Sequence, residues 1–206
     1  MASTSSGYGL VPVRKVGATS NNHGQESFLI DPAGVAQNIG YGSVVSITAA
    51  GYLQLAPGTG ADATTNNFGG SSVGAIGIFV GCEYVNSEGQ LIFGQYYPSG
   101  TLNATAYVVT DPSVVFQVQA NGALAQTNLG QNIDFNAAQN ATTSVNTTTG
   151  KSNMQVDAAA VGTATAGFKI VGFSDRPGSA IGDAYTDVLV KFNAAYHANA
   201  SAPVSL

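Results

Sequence analysis

The segment at residues 105–126 constrains the fold of this chain more than any other. Its sequence, TAYVVTDPSVVFQVQANGALAQ, has two apolar runs separated by Asp-Pro at 111–112, and Asn-Gly at 121–122 ends the second run. In VVFQVQ, one face is formed by Val114, Phe116 and Val118. A period of two with β-branched and aromatic residues predicts a half-buried strand. Asp-Pro bends the chain, and Asn-Gly supplies the positive φ of a tight hairpin.

The rest of the sequence repeats this pattern of short alternating segments separated by Gly, Asn and Pro. Strands are expected at 27–30, 43–48, 52–55, 73–85, 90–97, 129–135, 168–173 and 186–197. The alanine-rich stretch at 154–167 has the best helix propensity, but Gly162 and its threonines limit a helix there to a turn or two. The sequence therefore predicts an all-β fold, a short-stranded antiparallel β-barrel or sandwich with long polar loops and little helix.

Domain organisation is expected to be simple, with one β-rich domain at 23–198. This domain has a possible division into 23–100 and 101–198. Residues 1–22 are predicted to form an extended N-terminal arm, and 199–206 a flexible tail. The apolar part of the arm, YGLVPVRKVG, can dock on a neighbouring subunit or form an edge strand of its own domain.

The low charge excludes several classes of partner. Only 8% of residues are charged, the net charge is −5, and Arg14-Lys15 is the one adjacent basic pair. Nucleic-acid binding needs a clustered basic surface, so no direct nucleic-acid contact is expected. No apolar run is long enough for a membrane helix, and no secretory signal is visible. A chain with so few charges is poorly protected against association, so we expect the protein to be part of a larger assembly.

Catalytic motifs are present only as fragments. Residues 70–74, GSSVG, match G-x-S-x-G, and Asp183 and His197 follow in the order of a hydrolase triad. That motif works only on a turn between a strand and a helix, whereas here a β-type run follows it. The segment is therefore interpreted as a Gly/Ser loop, and the protein is predicted not to be an enzyme.

Metal and cofactor sites are not expected either. His23 and His197 are the two histidines, and each is interpreted as an isolated surface residue. Asp183 and Asp187 lack the spacing of a calcium loop, so turn and cap roles are favoured. The single cysteine, Cys82, is predicted to be a buried, inert thiol.

Several segments together resemble a known family. They are GAIGIFVGCEYVNSEGQL at 74–91, TDPSVVFQVQANG at 110–122, LGQNIDF at 129–135, GKSNMQVD at 150–157 and the run at 168–197. These segments resemble the head decoration, or capsid cement, proteins of tailed bacteriophages. The resemblance implies a viral structural protein made in the host cytoplasm and located on the outer capsid surface of the virion. It implies a homotrimer that bridges subunits of the major capsid protein and carries no catalytic residue.

For this role, contacts to the capsid or to neighbouring subunits are expected from two places, the arm and the end of the central hairpin. The candidate contact residues are Leu10, Val11, Val13, Arg14, Tyr96 and Tyr97. Deletion of residues 2–16 is expected to abolish capsid binding while leaving the fold intact.

Two other functions stay open. One is a different virion subunit, such as a tail-tube, minor head or spike protein. The other is a carbohydrate-binding β module, which would use exposed aromatic side chains as its platform, although the chain has no Trp.

Overall fold

The structure, a computed structural model, describes residues 4–17, 24–48, 50–56, 75–136, 139–162, 166–174 and 177–193. These ranges fold into sixteen strands and three one-turn 3-10 helices, at Gln126–Asn128, Thr142–Ser144 and Ala158–Ala160. Every ladder between named strands is antiparallel. The all-β prediction is therefore confirmed, and so is the scarcity of helix.

The strands, numbered in chain order, are β1 (Val11–Lys15), β2 (Gln25–Leu29), β3 (Ile39–Gly40), β4 (Val44–Ile47), β5 (Leu53–Leu55), β6 (Ala75–Val85), β7 (Leu91–Gly94), β8 (Tyr96–Tyr97), β9 (Thr105–Val109), β10 (Val114–Gln119), β11 (Asn132–Phe135), β12 (Val145–Asn146), β13 (Lys151–Ser152), β14 (Val156–Asp157), β15 (Phe168–Phe173) and β16 (Asp187–Phe192). Most are short because Gly, Asn and Pro interrupt the apolar runs, as the sequence predicts.

Two six-stranded sheets make up the body. Sheet A has the order β1-β10-β16-β15-β11-β14, and sheet B has the order β2-β9-β6-β4-β5 with β7 also paired to β6. Single parallel bridges, Ile30 to Leu53 in sheet B and Ala120 to Val156 in sheet A, join strands that lie far apart in the sheet order. In the described ranges neither sheet closes with a full ladder, so the molecule is a sandwich-type fold rather than a closed barrel.

The core joins the two sheets. Its larger cluster surrounds Phe116, Phe168 and Phe192 of sheet A, whose rings pack with centroids 5.8 Å (Phe116–Phe192) and 4.9 Å (Phe168–Phe192) apart. Side chains of sheet B complete the same cluster, among them Val44 and Ile78. A second cluster combines side chains of sheet B with Ile39 of β3 and Tyr97 of β8, two strands that pair with each other. Since burial of apolar surface is the main favourable term in folding, the shared cluster holds the sheets together.

The chain passes between the sheets at the predicted Asp-Pro turn. Sheet B is built from residues 25–109, and sheet A from 11–15 and 114–192. The turn at 110–113 therefore separates the sheets, about ten residues later than the division suggested at 100/101. The strand predicted from VVFQVQ is present as β10, but both of its faces are largely buried, including Val115 and Gln119, because other segments cover the second face.

The N-terminal segment belongs to the body. Strand β1 pairs with β10, and Leu10 lies in the shared core with none of its surface exposed. Upstream, the backbone N–H of Ser6 donates to Gln119 Oε1 at 2.7 Å, and the Tyr8 hydroxyl donates to Asp187 Oδ1 at 2.9 Å. Of the two expectations for this segment, an edge strand of its own domain is therefore the one that the structure shows. We refer to residues 4–10 as the N-terminal strap.

Candidate docking surfaces

The structure brings no metal-binding cluster together from the described residues. No group of three or more His, Cys, Asp or Glu side chains there could hold a metal ion. The G-x-S-x-G motif at 70–74 and both histidines, His23 and His197, lie outside the described residues. No helix in the described ranges is long and apolar enough to cross a membrane.

The acidic pair singled out in the sequence has structural partners. Asp183 Oδ2 accepts a hydrogen bond from the backbone N–H of Ala180 at 2.9 Å, which is a turn contact. Asp187 is buried and accepts from the Tyr8 hydroxyl. Both carboxylates thus hold loops and the N-terminal strap in place.

Cys82 is buried in β6, and its thiol donates to the carbonyl oxygen of Tyr96 at 3.3 Å. Burial raises the pKa of Cys82 to about 12. A thiol with so high a pKa carries almost no thiolate at neutral pH, so the structure agrees with an inert cysteine.

The six predicted contact residues are not equally accessible. Leu10 and Tyr97 are completely buried, and the Tyr97 hydroxyl donates to the carbonyl of Thr101 at 2.7 Å and accepts from the N–H of Val35 at 3.1 Å. Because neither side chain is exposed, neither can contact a partner in this conformation, and the prediction that Leu10 and Tyr97 are contact residues is corrected. The accessible or partly accessible members of the set are Val11, Val13, Arg14 and Tyr96.

The first accessible apolar surface is the β1 edge, which we define as Val11, Val13, Arg14 and Val16. Strand β1 is one of the two outer strands of sheet A, and its second side is unpaired in the described ranges. Val13 is 40% exposed, and Val16 is also exposed. The β1 edge therefore presents two valines beside one guanidinium group.

Strand β1 also carries features that hinder pairing with another strand. Pro12 lacks a backbone donor, and the register with β10 shifts between Pro12 and Arg14. Lys15 Nζ lies 2.8 Å from Asp111 Oδ2. Burial alone would raise the pKa of Asp111, but hydrogen bonds from Lys15 and Ser113 outweigh it and lower that pKa to about 2. Proline, an irregular register and charge are the means by which proteins protect an edge strand, so this surface is suited to side-chain contacts.

The second surface is the outer face of sheet B around strand β7. In one row across four strands, Leu29 lies opposite Thr105, Thr105 opposite Glu83, and Glu83 opposite Phe93. In the next row Val85 lies opposite Leu91. Directly paired residues in a ladder share a face. We define the β7 surface as Leu29, Glu83, Val85, Leu91, Phe93, Thr105 and Tyr107.

The β7 surface is apolar and strongly exposed. Phe93 is 69% exposed, and the values for Leu29, Leu91 and Val85 are 58%, 57% and 51%. Its one charged member, Glu83, accepts a hydrogen bond from the Tyr107 hydroxyl, which raises the pKa of Tyr107. Single exposed apolar residues such as Leu29 are ordinary on a protein surface, but Val85, Leu91 and Phe93 are neighbours on paired strands, and such a group marks a site of interaction.

Strand β7 lacks the proline, the charge and the irregular register seen at β1, and its shortness, at four residues, is its one protective feature. Its sequence, Leu-Ile-Phe-Gly, contains neither proline nor charge, and its four residues pair with β6 in unbroken register. Within the described residues β6 is its one ladder partner. An apolar edge strand of this kind is a template for pairing with another chain.

The sequence held a signal for this surface. The segment QLIFGQYY is predicted to be a strand, and its tyrosines, Tyr96 and Tyr97, are predicted contact residues. The alternation places Leu91 and Phe93 on one face, and the structure exposes both of them, whereas Tyr97 turns inward.

Comparison of this chain with protein-family models, with curated proteins and with solved structures gives no match in any of the three.

Proposed function

We propose that this protein is a structural component of a phage particle, a decoration or cement protein that binds the outside of the head. The observation that carries the proposal is the presence of two accessible apolar surfaces on different sheets of one body, the β1 edge on sheet A and the β7 surface on sheet B. A protein that cements a shell must contact at least two neighbours at once. Two separate surfaces on a shared core meet that requirement.

The β1 edge is proposed as the contact with the major capsid protein. Val13 and Val16 can bury apolar surface there, and Arg14 can pair with a carboxylate of the partner. Leu10 is excluded from this contact because its side chain fills the core. The proposed contact therefore keeps Val11, Val13 and Arg14 from the predicted set and adds Val16.

The low overall charge supports the same role. The described residues contain one ion pair, Lys15 with Asp111, and the chain has 17 formally charged side chains of Asp, Glu, Lys and Arg, from 11 acidic and 6 basic residues. When other subunits cover a surface made mainly of hydroxyl and amide groups, few charged groups have to be removed from water, so the free-energy cost of desolvation is small.

The test uses heads of the phage that encodes the chain, prepared without it. Purified wild-type protein is expected to sediment with these heads, and Val13→Asp is expected to lose binding because a carboxylate would be buried without a partner. Ile181→Asp, at a residue exposed to a similar degree in a loop of sheet A, serves as the control and should bind like wild type. Equal binding by Val13→Asp would contradict the assigned contact, and no binding by wild type would contradict the proposed function.

Analysis of the same phage particles distinguishes a decoration protein from a subunit located elsewhere in the virion, such as a tail or spike protein. A decoration protein is expected on the head in a copy number comparable to the number of capsid subunits or of their local three-fold points, whereas a tail or spike subunit would be present in few copies or along the tail. Quantitative mass spectrometry and a particle reconstruction measure both. A carbohydrate-binding module would instead give a glycan-array signal that depends on Phe93, the exposed aromatic residue of the β7 surface.

A further inference from the structure

We infer that the β7 surface is an interface between two copies of this chain, formed by antiparallel pairing of β7 with β7 of a second copy. This inference concerns self-association of the purified chain and stands apart from capsid binding, which we assigned to the β1 edge. The first observation is the open edge of β7, a strand that is paired with β6 alone among the described residues. The N–H and C=O groups on its outer side are available to a second strand.

The sequence of β7 is complementary to itself. A two-fold axis at Ile92 would place Ile92 opposite its own copy, and Leu91 opposite Phe93 of the second copy. Leu91 and Phe93 lie on the same face of sheet B. Pairing would therefore join the two β7 surfaces into one apolar face in which a large side chain meets another across each ladder position.

Charge does not oppose this arrangement. Glu83 is the single charged residue of the β7 surface, and it lies on β6, one strand inward from the edge. The two Glu83 residues would be three strand spacings apart, about 14 Å. That distance exceeds the screening length of about 8 Å at physiological ionic strength, so their repulsion is small.

The area indicates how strong the interface can be. Edge-to-edge pairing would bring Leu91 and Phe93 of each copy into contact across the new ladder, whereas Leu29 and Val85 lie on strands further inward and would stay uncovered. A stable dimer of average size covers about 800 Å² on each partner. The β7 pairing is therefore expected to give a weak, reversible dimer whose dissociation constant is about micromolar or higher. Crowding of copies on a shell would favour the dimer.

Sedimentation velocity of the purified full chain over a range of concentrations tests the interface. Wild type is expected to shift from monomer to dimer with concentration. Phe93→Lys and Leu91→Lys are expected to weaken the dimer at least about tenfold. Leu129→Lys, at an exposed leucine away from the β7 surface, should behave like wild type. Circular dichroism confirms that each variant is folded.

A cross-link tests the register. Residues directly opposite in an antiparallel ladder have Cα atoms about 4.5–5.5 Å apart, within the range of a disulfide. Ile92→Cys is expected to form a dimer under mild oxidation, whereas Leu129→Cys is not. The buried Cys82 should not interfere. A wild-type chain that stays monomeric, a trimer, or a dimer unaffected by Phe93→Lys would overturn the inference, and none of these results would bear on capsid binding at the β1 edge.

Discussion

Asn140 illustrates how a single buried side chain connects a loop to a sheet. Its Oδ1 accepts from the N–H of Val44 at 3.1 Å, and its Nδ2 donates to the carbonyl oxygens of Val44 at 3.0 Å and Ala56 at 2.9 Å. The residue is buried, so water cannot replace these contacts. Asn140 therefore satisfies backbone groups where β4 begins and where the chain leaves β5.

Replacement of Asn140 by alanine is expected to lower the free energy of unfolding by about 3 kcal/mol, because the Val44 N–H and the Ala56 carbonyl oxygen would lose this buried partner. Urea denaturation measures the change. Asn128→Ala is the control, since Asn128 Oδ1 accepts from the N–H of Ala125 at an exposed turn, and we expect a loss of less than about 1 kcal/mol. Equal losses for the two variants would show that burial of Asn140 has no special effect.

Asp134 is a carboxylate in an unfavourable place. It lies in β11 opposite Asp157 of β14, and its pKa is raised to about 6, chiefly by burial and further by the charge of Asp157. Hydrogen bonds from the N–H groups of Phe135 and Gly167 act in the opposite direction but do not cancel the shift. Folding therefore shifts Asp134 towards its protonated form relative to the unfolded chain.

The sign of the resulting pH dependence follows from this shift. Because the pKa of Asp134 is about 6 when folded and near the ordinary 3.8 when unfolded, its contribution to stability should rise as the pH falls from above 6 towards 4. Asp111 affects stability at lower pH than Asp134 does. Its pKa is about 2 when folded, so the stability that it contributes is lost as the pH falls from 3.8 through 2. Asp134→Asn should raise stability at pH 7 by about 1–2 kcal/mol and flatten the profile between pH 4 and 6. Urea denaturation across pH would contradict this if the variant kept the wild-type profile.

At the scale of elements, the N-terminal strap is an integral part of the folded body. It places Leu10 in the shared core, and its backbone bonds run from Gly9 N to Met154 O and from Leu10 N to Gly42 O. Gly42 has a φ of +84°, and a Cβ there would lie 2.7 Å from the nitrogen of Leu10, so the crossing requires glycine. The strap thus connects loops of both sheets.

Loss of the strap is expected to damage the fold, contrary to the expectation from the sequence. Leu10→Ala should lower the free energy of unfolding by about 3 kcal/mol, as for other large side chains removed from a core. Deletion of residues 2–16 also removes β1 and should leave a chain without a cooperative thermal transition. Val16→Ala, at an exposed position, should change stability by less than about 0.5 kcal/mol. A truncated chain with the wild-type melting temperature would contradict this role.

Local sequence patterns predict where the strands lie better than they predict which distant segments those strands contact. Alternation and turn residues located β10, the hairpin of β6 and β7 and the closing strand β16, because these signals lie within a few residues of one another. The position of the strap in the fold depends on contacts with Gln119, Asp187 and Gly42, which lie far from it in sequence. No local pattern indicates such contacts. For the same reason, the sequence predicts Leu10 to be a contact residue, whereas the structure places it in the core.

For the whole molecule, the decisive feature is that the two sheets share one core although they come from successive parts of the chain. Val44, Ile78 and Val109 of sheet B lie in the cluster that surrounds the phenylalanines of sheet A. The strap and β1 precede sheet B in the chain, yet β1 pairs with β10 and belongs to sheet A. A division into 23–100 and 101–198 would therefore cut through one hydrophobic cluster.

We accordingly expect the chain to unfold as one unit. Calorimetry of the intact protein should give a single transition with equal calorimetric and van't Hoff enthalpies. Fragments 1–110 and 111–206, expressed separately, should lack dispersed amide NMR signals, because each would expose the apolar surface that the other covers and the second would also lack Leu10. Mixing the fragments should restore dispersion if the shared core is what each one needs. Two calorimetric transitions, or a folded fragment 1–110, would show instead that sheet B is an independent domain.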